Sequence, residues 1–288
     1  MANVERRKAL RNSWHYIVGD IHGCYEELLK LEKKIYDHAK KNKKRPFIIS
    51  VGDIIDRGPK SKDVVEHFME GRKRGTHDIV MGNHEAMMLA SLQVFNPKIF
   101  KDLKRRYPSW LYTYKERFLE RSLEKKMTWG DYLETLETLW FGQGGKETLE
   151  SYGVFSKDPK DWVLPKSHLN FILSLKPVLT LKKTLVTHAL PKLEYIQKVL
   201  NVLGTRKRVT TEVKAAVYSL FWNRSMIGVE GINGKTLVSG HTPMPSIKRH
   251  KGQKVIQIDT ACYSGERLTA WCPEKDKVFF VRAQKRYF

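Results

Sequence analysis

His15-Tyr16-Ile17-Val18-Gly19-Asp20-Ile21-His22-Gly23 is an apolar run that breaks into a glycine-bounded polar loop. The arrangement recurs twice within the first ninety residues. Phe47-Ile48-Ile49-Ser50-Val51 runs into Gly52-Asp53-Ile54-Ile55-Asp56-Arg57-Gly58, and Asp78-Ile79-Val80-Met81 runs into Gly82-Asn83-His84-Glu85. Between these strands lie amphipathic stretches. Residues 25 to about 41 carry Leu28, Leu31 and Ile35 near helical spacing, and residues 63–74 form a second helix closed by Gly75. Strand, helix, strand, helix, strand is the pattern of an α/β protein with a parallel or mixed sheet wrapped by helices. All three polar loops leave one edge of that sheet. Ligands bind outside the carboxyl ends of strands in open α/β sheets, so the loops are expected to converge.

Further along, residues from His84 to about Tyr152 read as mostly helical, with Leu119, Leu123 and Met127 four apart among many charges. After Pro165 the sheet pattern resumes. Residues 178–181 and 184–187 read as strands, 213–221 as a helix, and 237–238, 255–258, 268–271 and 278–281 as late strands. No Gly/Ser/Pro linker divides the chain. One domain over residues 1–288 is expected, with a helical elaboration at about 90–165.

Composition narrows the class. The 288 residues are 41% hydrophobic and carry 53 basic against 31 acidic side chains, a formal charge of +22 that must face water or anions. No run approaches the roughly 18 apolar residues of a membrane span, and the N-terminus lacks the apolar stretch of a secretory signal. A cytoplasmic protein without a membrane partner is expected. Cys24, Cys262 and Cys272 are an odd set without metal-finger spacing, and read as small, partly buried thiols.

The strand-end loops hold the chemistry. Asp20 and His22 are two residues apart, close enough on an extended loop to reach one ion, and Asp53 and Asn83 end the next two strands. Later strand ends add Thr187-His188 and Gly240-His241-Thr242-Pro243. Each motif alone can be read as a turn or a buried histidine. Five in order, each at a strand end, point instead to a metal site of oxygen and imidazole ligands without thiolates.

This string resembles the calcineurin-like metallophosphoesterases, and within them the phosphoprotein phosphatase superfamily, especially the phage lambda and bacterial serine/threonine phosphatases. Supporting matches are Gly23-Cys24-Tyr25, Ala86-Met87-Met88, Trp222-Asn223-Arg224 and Ile258-Asp259-Thr260, so the likeness runs from about Trp14 to Thr269. The resemblance implies two stacked mixed β-sheets flanked by helices, with two divalent cations at the strand ends. Mn2+ is the expected metal, with Fe and Zn suited to the same ligands. By motif, Asp20, His22 and Asp53 would hold the first ion, and Asp53 would bridge to a second held with Asn83, His188 and His241. A metal-bridging hydroxide would attack phosphorus. Arg57 and Arg224 would clamp the phosphate alongside Asn83 and His84. His84 would protonate the departing oxygen, oriented by Asp56. Asp56 read without the family would be a helix-capping or arginine-pairing carboxylate. Asp259 is expected to hold a nearby loop.

The function so implied is hydrolysis of phosphoserine and phosphothreonine in proteins. Cleavage of dinucleoside polyphosphates, or of RNA 5′-polyphosphate ends, is the alternative within the superfamily, and the +22 charge favours it. Gly240-His241-Thr242 lacks the second histidine of the nuclease-like branch. A basic nucleic-acid-binding module with an inactive centre would have lost ligands, and none is missing. There are two departures from the resemblance: Ala189-Leu190-Pro191 follows His188 where many relatives carry glycine, and the chain between Gly82-Asn83-His84-Glu85 and His188 is longer than in the phage enzyme. Within that longer stretch, residues 104–126 interleave Lys104, Arg105, Arg106, Lys115, Arg117, Arg121, Lys125 and Lys126 with aromatic side chains. That basic stretch reads as a solvated helix face or as a polyanion contact.

Overall fold

The computed structural model describes residues 13–113, 116, 128, 130, 140–203, 205 and 207–288. Tyr16, Ile17 and Val18 of β1 (Ser13–Val18) are fully buried, so the strand is covered on both faces, as its continuous apolar run requires. It pairs in parallel with β2 (Arg45–Ser50), which pairs in parallel with β3 (His77–Ile79).

A second sheet begins with β4 (Val178–Thr180), antiparallel to β5 (Thr184–Thr187); β6 (Thr236–Ser239) continues it in parallel. β7 (Lys248–His250) runs antiparallel to β8 (Val255–Gln257), which lies parallel to β6. The chain then returns to the first sheet, where β9 (Arg267–Cys272) lies antiparallel to β1 and β10 (Lys277–Arg282) antiparallel to β9. The orders are β10-β9-β1-β2-β3 and β4-β5-β6-β8-β7. Both sheets are mixed.

Side-chain alternation shows how they stack. Ile17, Ile49 and Val51 of the first sheet share one buried cluster with Val186, Val238 and Ile256 of the second, which places that cluster between the sheets. Their sequence neighbours Tyr16, Val18, Ile48, Leu185, Leu237 and Val255 point the other way, into the larger core shared with the helices. On that side α1 (Tyr25–Lys41) contributes Leu28, Leu31 and Ile35, and α2 (Ser61–Arg74) contributes Val64, Val65 and Phe68. Each such side chain adds about 2 kcal/mol relative to exposure. A charge at Ile49 would be buried between two sheets without a partner, and would break the stack.

α3 (Asn83–Phe95) leaves the edge of the first sheet, and the short helices α4 (Gly145–Ser151) and α5 (Lys166–Ile172) follow the longer connection. α6 (Leu193–Leu200) and α7 (Thr211–Trp222) pack on each other and cover the second sheet with Ile196, Val199, Ala216, Val217 and Leu220.

The two stacked mixed sheets flanked by helices match the expected fold. Local corrections have physical causes. The third strand stops at Ile79, and Val80 makes only an isolated bridge to Lys176. The helical reading from His84 to about Tyr152 is interrupted after Phe95, because Pro97 cannot continue a helix; a 3-10 turn over Pro97–Phe100 and irregular chain to residue 113 follow, and helix returns by Gly145–Ser151. Leu119, Leu123 and Met127 lie outside the described residues, as do Lys115, Arg117, Arg121, Lys125 and Lys126. α5 is short and β7 is a basic edge strand without apolar alternation, so neither has a strong periodic signature; α6, with Leu193, Ile196, Val199 and Leu200 at helical spacing, had one that the reading passed over. All three cysteines are free and buried, as expected. Among the described residues no helix is long and apolar enough to cross a membrane.

Candidate metal centre

Asp53 sits at the focus of the strand-end loops. Its Oδ2 lies 3.3 Å from His188 Nε2, 3.6 Å from His22 Nε2 and 3.7 Å from His84 Nε2. Two groups of potential ligand atoms form around it, His22–Asp53–His84 and Asp53–His188–His241, and they share this carboxylate. Asn83 joins the second group, its Oδ1 standing 2.7 Å from His188 Nε2 and 2.9 Å from His241 Nδ1. Asp20 stands beside them, its two carboxylate oxygens accepting the His241 backbone N–H at 3.0 and 3.2 Å. All six residues expected as ligands are buried.

Local backbone explains the convergence. Eleven non-glycine residues among those described have positive φ, and His22, Asp53, Asp56, Arg57 and His241 are five of them. Such conformations cost of order 1–3 kcal/mol each and persist where surrounding contacts dictate them. The motif glycines supply the space. A Cβ on Gly82 would lie 2.1 Å from Asp53 Oδ1, and one on Gly240 would lie 1.9 Å from Asp20 Oδ1, so only glycine lets the backbone approach these carboxylates.

The imidazoles are fixed for ligation. His22 donates its Nδ1–H to the Ile55 carbonyl at 2.8 Å, and His188 donates its own to the Val51 carbonyl at 2.9 Å. Each keeps the lone pair on Nε2, which faces Asp53. His241 is turned the other way, with Nδ1 toward Asn83 and His188 and with Nε2 accepting from Arg224 Nε at 3.3 Å.

Electrostatics point the same way. Burial, together with the charges of Asp259 and Asp53, pushes the Asp20 carboxyl well above its usual range. Burial also works to raise Asp53, but His188 and His84 hold it well below the usual range. His241 is pushed down to about 3 by burial and by His188. Burial pushes His22 down in the same way, whereas at His188, where burial also works downward, the Asp53 carboxylate raises the imidazole above its usual range. Carboxylates and imidazoles buried together form a donor set that cations stabilise. The residues present therefore fit divalent cations, with Asp53 common to both ligand groups.

Beside the focus lies a cavity of about 210 Å3, whose lining includes Arg57, His84, Gln143, Arg224 and Tyr263. Arg57 Nη1 donates to His22 Nε2 at 2.9 Å, and Nη2 lies 3.1 Å from His84 Nε2 and 3.3 Å from Gln143 Oε1. Its guanidinium rests on the Tyr263 ring, 4.1 Å from the centroid. The loop Ala189-Leu190 is tied to the end of α7 through the Leu220 and Asn223 carbonyls, at 2.7 and 3.2 Å, just before Arg224.

Asp56 is fully buried, and its carboxylate accepts from His84 Nδ1 at 2.7 Å, Thr148 Oγ1 at 2.6 Å and Trp140 Nε1 at 3.2 Å. Its partners are thus neither Arg57 nor a helix end. Asp259 accepts the Ala261 N–H at 2.9 Å, which meets the expectation that it holds a loop.

Sequence reasoning overlooked several residues here. Glu85 accepts the N–H groups of Gly82, Asp53 and Ile54 at 2.8 to 3.0 Å, closing half of a capping box on α3 while latching the neighbouring loop. Its position two residues after Asn83 was a usable signal. Burial and the Asp53 charge push its carboxyl up to about 7. Trp140, Gln143, Thr148 and Tyr263 carried no motif, and only the chain path brings them in.

A symmetrical bis(5′-nucleosyl)-tetraphosphatase of Buchnera aphidicola subsp. Schizaphis graminum is 39% identical over 75 residues, 26% of this chain and 25% of that protein. An asymmetrical bis(5′-nucleosyl)-tetraphosphatase of Halalkalibacterium halodurans is 39% identical over 72 residues, 24% of this chain and 29% of its own length. The matched segment thus spans about a quarter of these curated relatives. A solved protein serine/threonine phosphatase from Saccharomyces cerevisiae aligns over 94% of this chain and 80% of its own, at 12% identity and a TM-score of 0.47. The sequence model of the calcineurin-like phosphoesterases matches residues 16–273, nearly the whole chain, and with it the protein belongs to that family.

Proposed function

We propose that the chain is a two-metal phosphohydrolase acting on dinucleoside polyphosphates. The observation that carries the two-metal reading is the sharing of Asp53 between two ligand groups. Asp20, His22 and Asp53 would hold one cation, and Asp53, Asn83, His188 and His241 the other. When bound, such a pair supplies water acidified to a nucleophile at neutral pH and positive charge against the phosphoryl oxygens.

The protein's own groups bind and orient the substrate and move the proton. Arg57 and Arg224 present guanidinium N–H groups to the phosphate oxygens, a fork that lysine cannot reproduce. Asn83 and His84 line the same cavity. His84 gives Nδ1–H to Asp56, and Trp140 and Thr148 hold that carboxylate in place. The ring cannot turn without breaking this network. Nε2 now faces Arg57 Nη2 at 3.1 Å; once that guanidinium turns to the phosphate, Nε2 would take up a proton and deliver it to the departing oxygen.

Two observations support the nucleotide substrate: the names of the curated relatives that match about a quarter of the chain, and the +22 charge, which draws polyanions toward the site. A second reading, hydrolysis of phosphoserine and phosphothreonine, is favoured by the His84–Asp56 pair, because an alkoxide leaves poorly without a proton whereas a nucleotide phosphate does not.

The deciding experiment compares kcat/KM for diadenosine tetraphosphate, a phosphoserine peptide and 5′-triphosphorylated RNA at one salt concentration with added Mn2+. The proposal expects the dinucleotide to lead by more than about tenfold, a difference of about 1.4 kcal/mol in transition-state binding. A lead of that size for the peptide establishes the second reading, and one for RNA moves the substrate to RNA ends.

A further inference from the structure

Away from the strand-end site, three metal-binding side chains meet under the helices of the first sheet. Glu32 comes from α1, His67 from α2 and His77 from β3. Glu32 Oε1 lies 2.8 Å from His67 Nε2 and 3.0 Å from His77 Nε2, and the three donor atoms are mutually within 4.8 Å. The expectations drawn from the motifs give none of these residues a role.

Hydrogen bonding fixes the direction of the lone pairs. Thr76 Oγ1 lies 3.1 Å from the Gly71 carbonyl, which can only accept, so the hydroxyl hydrogen goes there. The same oxygen, 2.8 Å from His77 Nδ1, must then accept the His77 Nδ1–H. A neutral His77 therefore turns its Nε2 lone pair directly at the Glu32 carboxylate. Two acceptors at this distance repel unless a proton or a cation lies between them.

The cluster is also packed in place and reachable. The His67 and His77 rings stand perpendicular at 5.1 Å between centroids, with Phe68 and Tyr25 against them at their edges. Glu32 and His77 are buried, whereas the His67 side chain keeps 14% exposure, an entry route for a small ion and for a water ligand. Burial works to raise the Glu32 carboxyl, but the His67 and His77 contacts hold it below its usual range, so it is an anion at neutral pH.

We infer that Glu32, His67 and His77 form a third cation site, a two-histidine, one-carboxylate Zn2+ site completed by water, which ties α1, α2 and β3 together. Zinc takes such ligands at about 2.0–2.2 Å in a tetrahedron. The ligand atoms of that tetrahedron are about 3.3 Å apart, so the two contacts of Glu32, at 2.8 and 3.0 Å, lengthen by only a few tenths of an ångström to admit the ion. Thr76 plays the part of the hydrogen-bonded partner that orients a ligating imidazole. Imidazole and carboxylate together favour zinc, cobalt or nickel over the harder magnesium and calcium.

The test uses the full chain, stripped with chelator, reloaded with Zn2+ and passed over a desalting column before metal analysis. Glu32→Gln and His67→Gln should each hold one zinc fewer per chain than the wild type, with Mn2+-supported hydrolysis unchanged. Zinc should also raise the melting temperature of the wild type more than that of either variant. Equal zinc content in all three proteins overturns the site and leaves only a carboxylate–imidazolium cluster. If Glu32→Gln does not fold, the half-buried His67 carries the comparison. Asp53→Asn separates the two readings: it should lose metal from the strand-end centre while keeping the ion at Glu32.

Discussion

Glu85 Oε2 accepts the backbone N–H of Asp53 at 3.0 Å, so a carboxylate at the start of α3 holds the candidate bridging ligand of the neighbouring strand in its left-handed conformation, φ 49°. With the bonds to Ile54 and Gly82, three buried N–H groups depend on this one side chain. Glu85→Ala leaves them without acceptors. The expected loss is about 3 kcal/mol of stability, read as a lower urea midpoint. An unchanged midpoint would show that the latch contributes nothing.

Asp53→Asn removes the charge shared by both ligand groups. Hydrolysis of p-nitrophenyl phosphate with added Mn2+ should fall by about a thousandfold or more, about 4 kcal/mol of transition-state stabilisation. Bound metal, measured by elemental analysis, should drop in parallel. Wild-type turnover and metal content in this variant would refute the bridging assignment.

His84→Asn keeps a polar group but removes the proton. On a phosphoserine peptide kcat should fall by about a hundredfold or more, the usual contribution of a general acid. On p-nitrophenyl phosphate, whose phenolate leaves unaided, the loss should be far smaller. Equal losses on both would contradict the proton-donor role. Asp56→Asn should reproduce the same dependence on leaving group more weakly.

Tyr263→Ala withdraws the aromatic face beneath Arg57. The cation–π contact is worth about 1 kcal/mol, so KM should rise about fivefold with little change in kcat. Tyr263→Phe keeps the face and should restore KM. If the phenylalanine variant is as impaired as alanine, the hydroxyl matters rather than the ring.

Glu274 joins the turn between β9 and β10 to the start of β1, meeting His15 through Nδ1 at 2.6 Å and through the backbone N–H at 3.1 Å. Burial works to raise its carboxyl, but the His15 contacts hold it below its ordinary range. A carboxyl depressed on folding contributes stability that is complete above its unfolded pKa of about 4.3 and is lost as pH falls through the folded value. Melting temperatures of wild type and Glu274→Gln should therefore differ at pH 7 and converge in acid. A gap that persists in acid would mean the ionised form is not what stabilises.

Much of the site was legible because its chemistry is local. Asp20 and His22 share one strand-end turn, as do Asp53, Asp56 and Arg57, and Asn83 and His84 begin one helix. Spacing alone placed these side chains at the ends of buried strands. The early helices were equally clear, since Leu28, Leu31 and Ile35 mark one face of α1. β7 and the short α5 carried too few periodic residues to be seen, whereas α6 was legible in Leu193, Ile196, Val199 and Leu200 and was passed over.

The sequence by itself determined which donors this protein owns and that they stand at strand ends, because a few covalently adjacent residues specify a turn. Only the tertiary structure decided that Asp53 faces both ligand groups, that Trp140 and Thr148, 84 and 92 positions away, seat Asp56, and that Tyr263 lies under Arg57. These contacts arise when two sheets close over a shared apolar layer. Their partners are set by the path of the chain through that core, which no local spacing records.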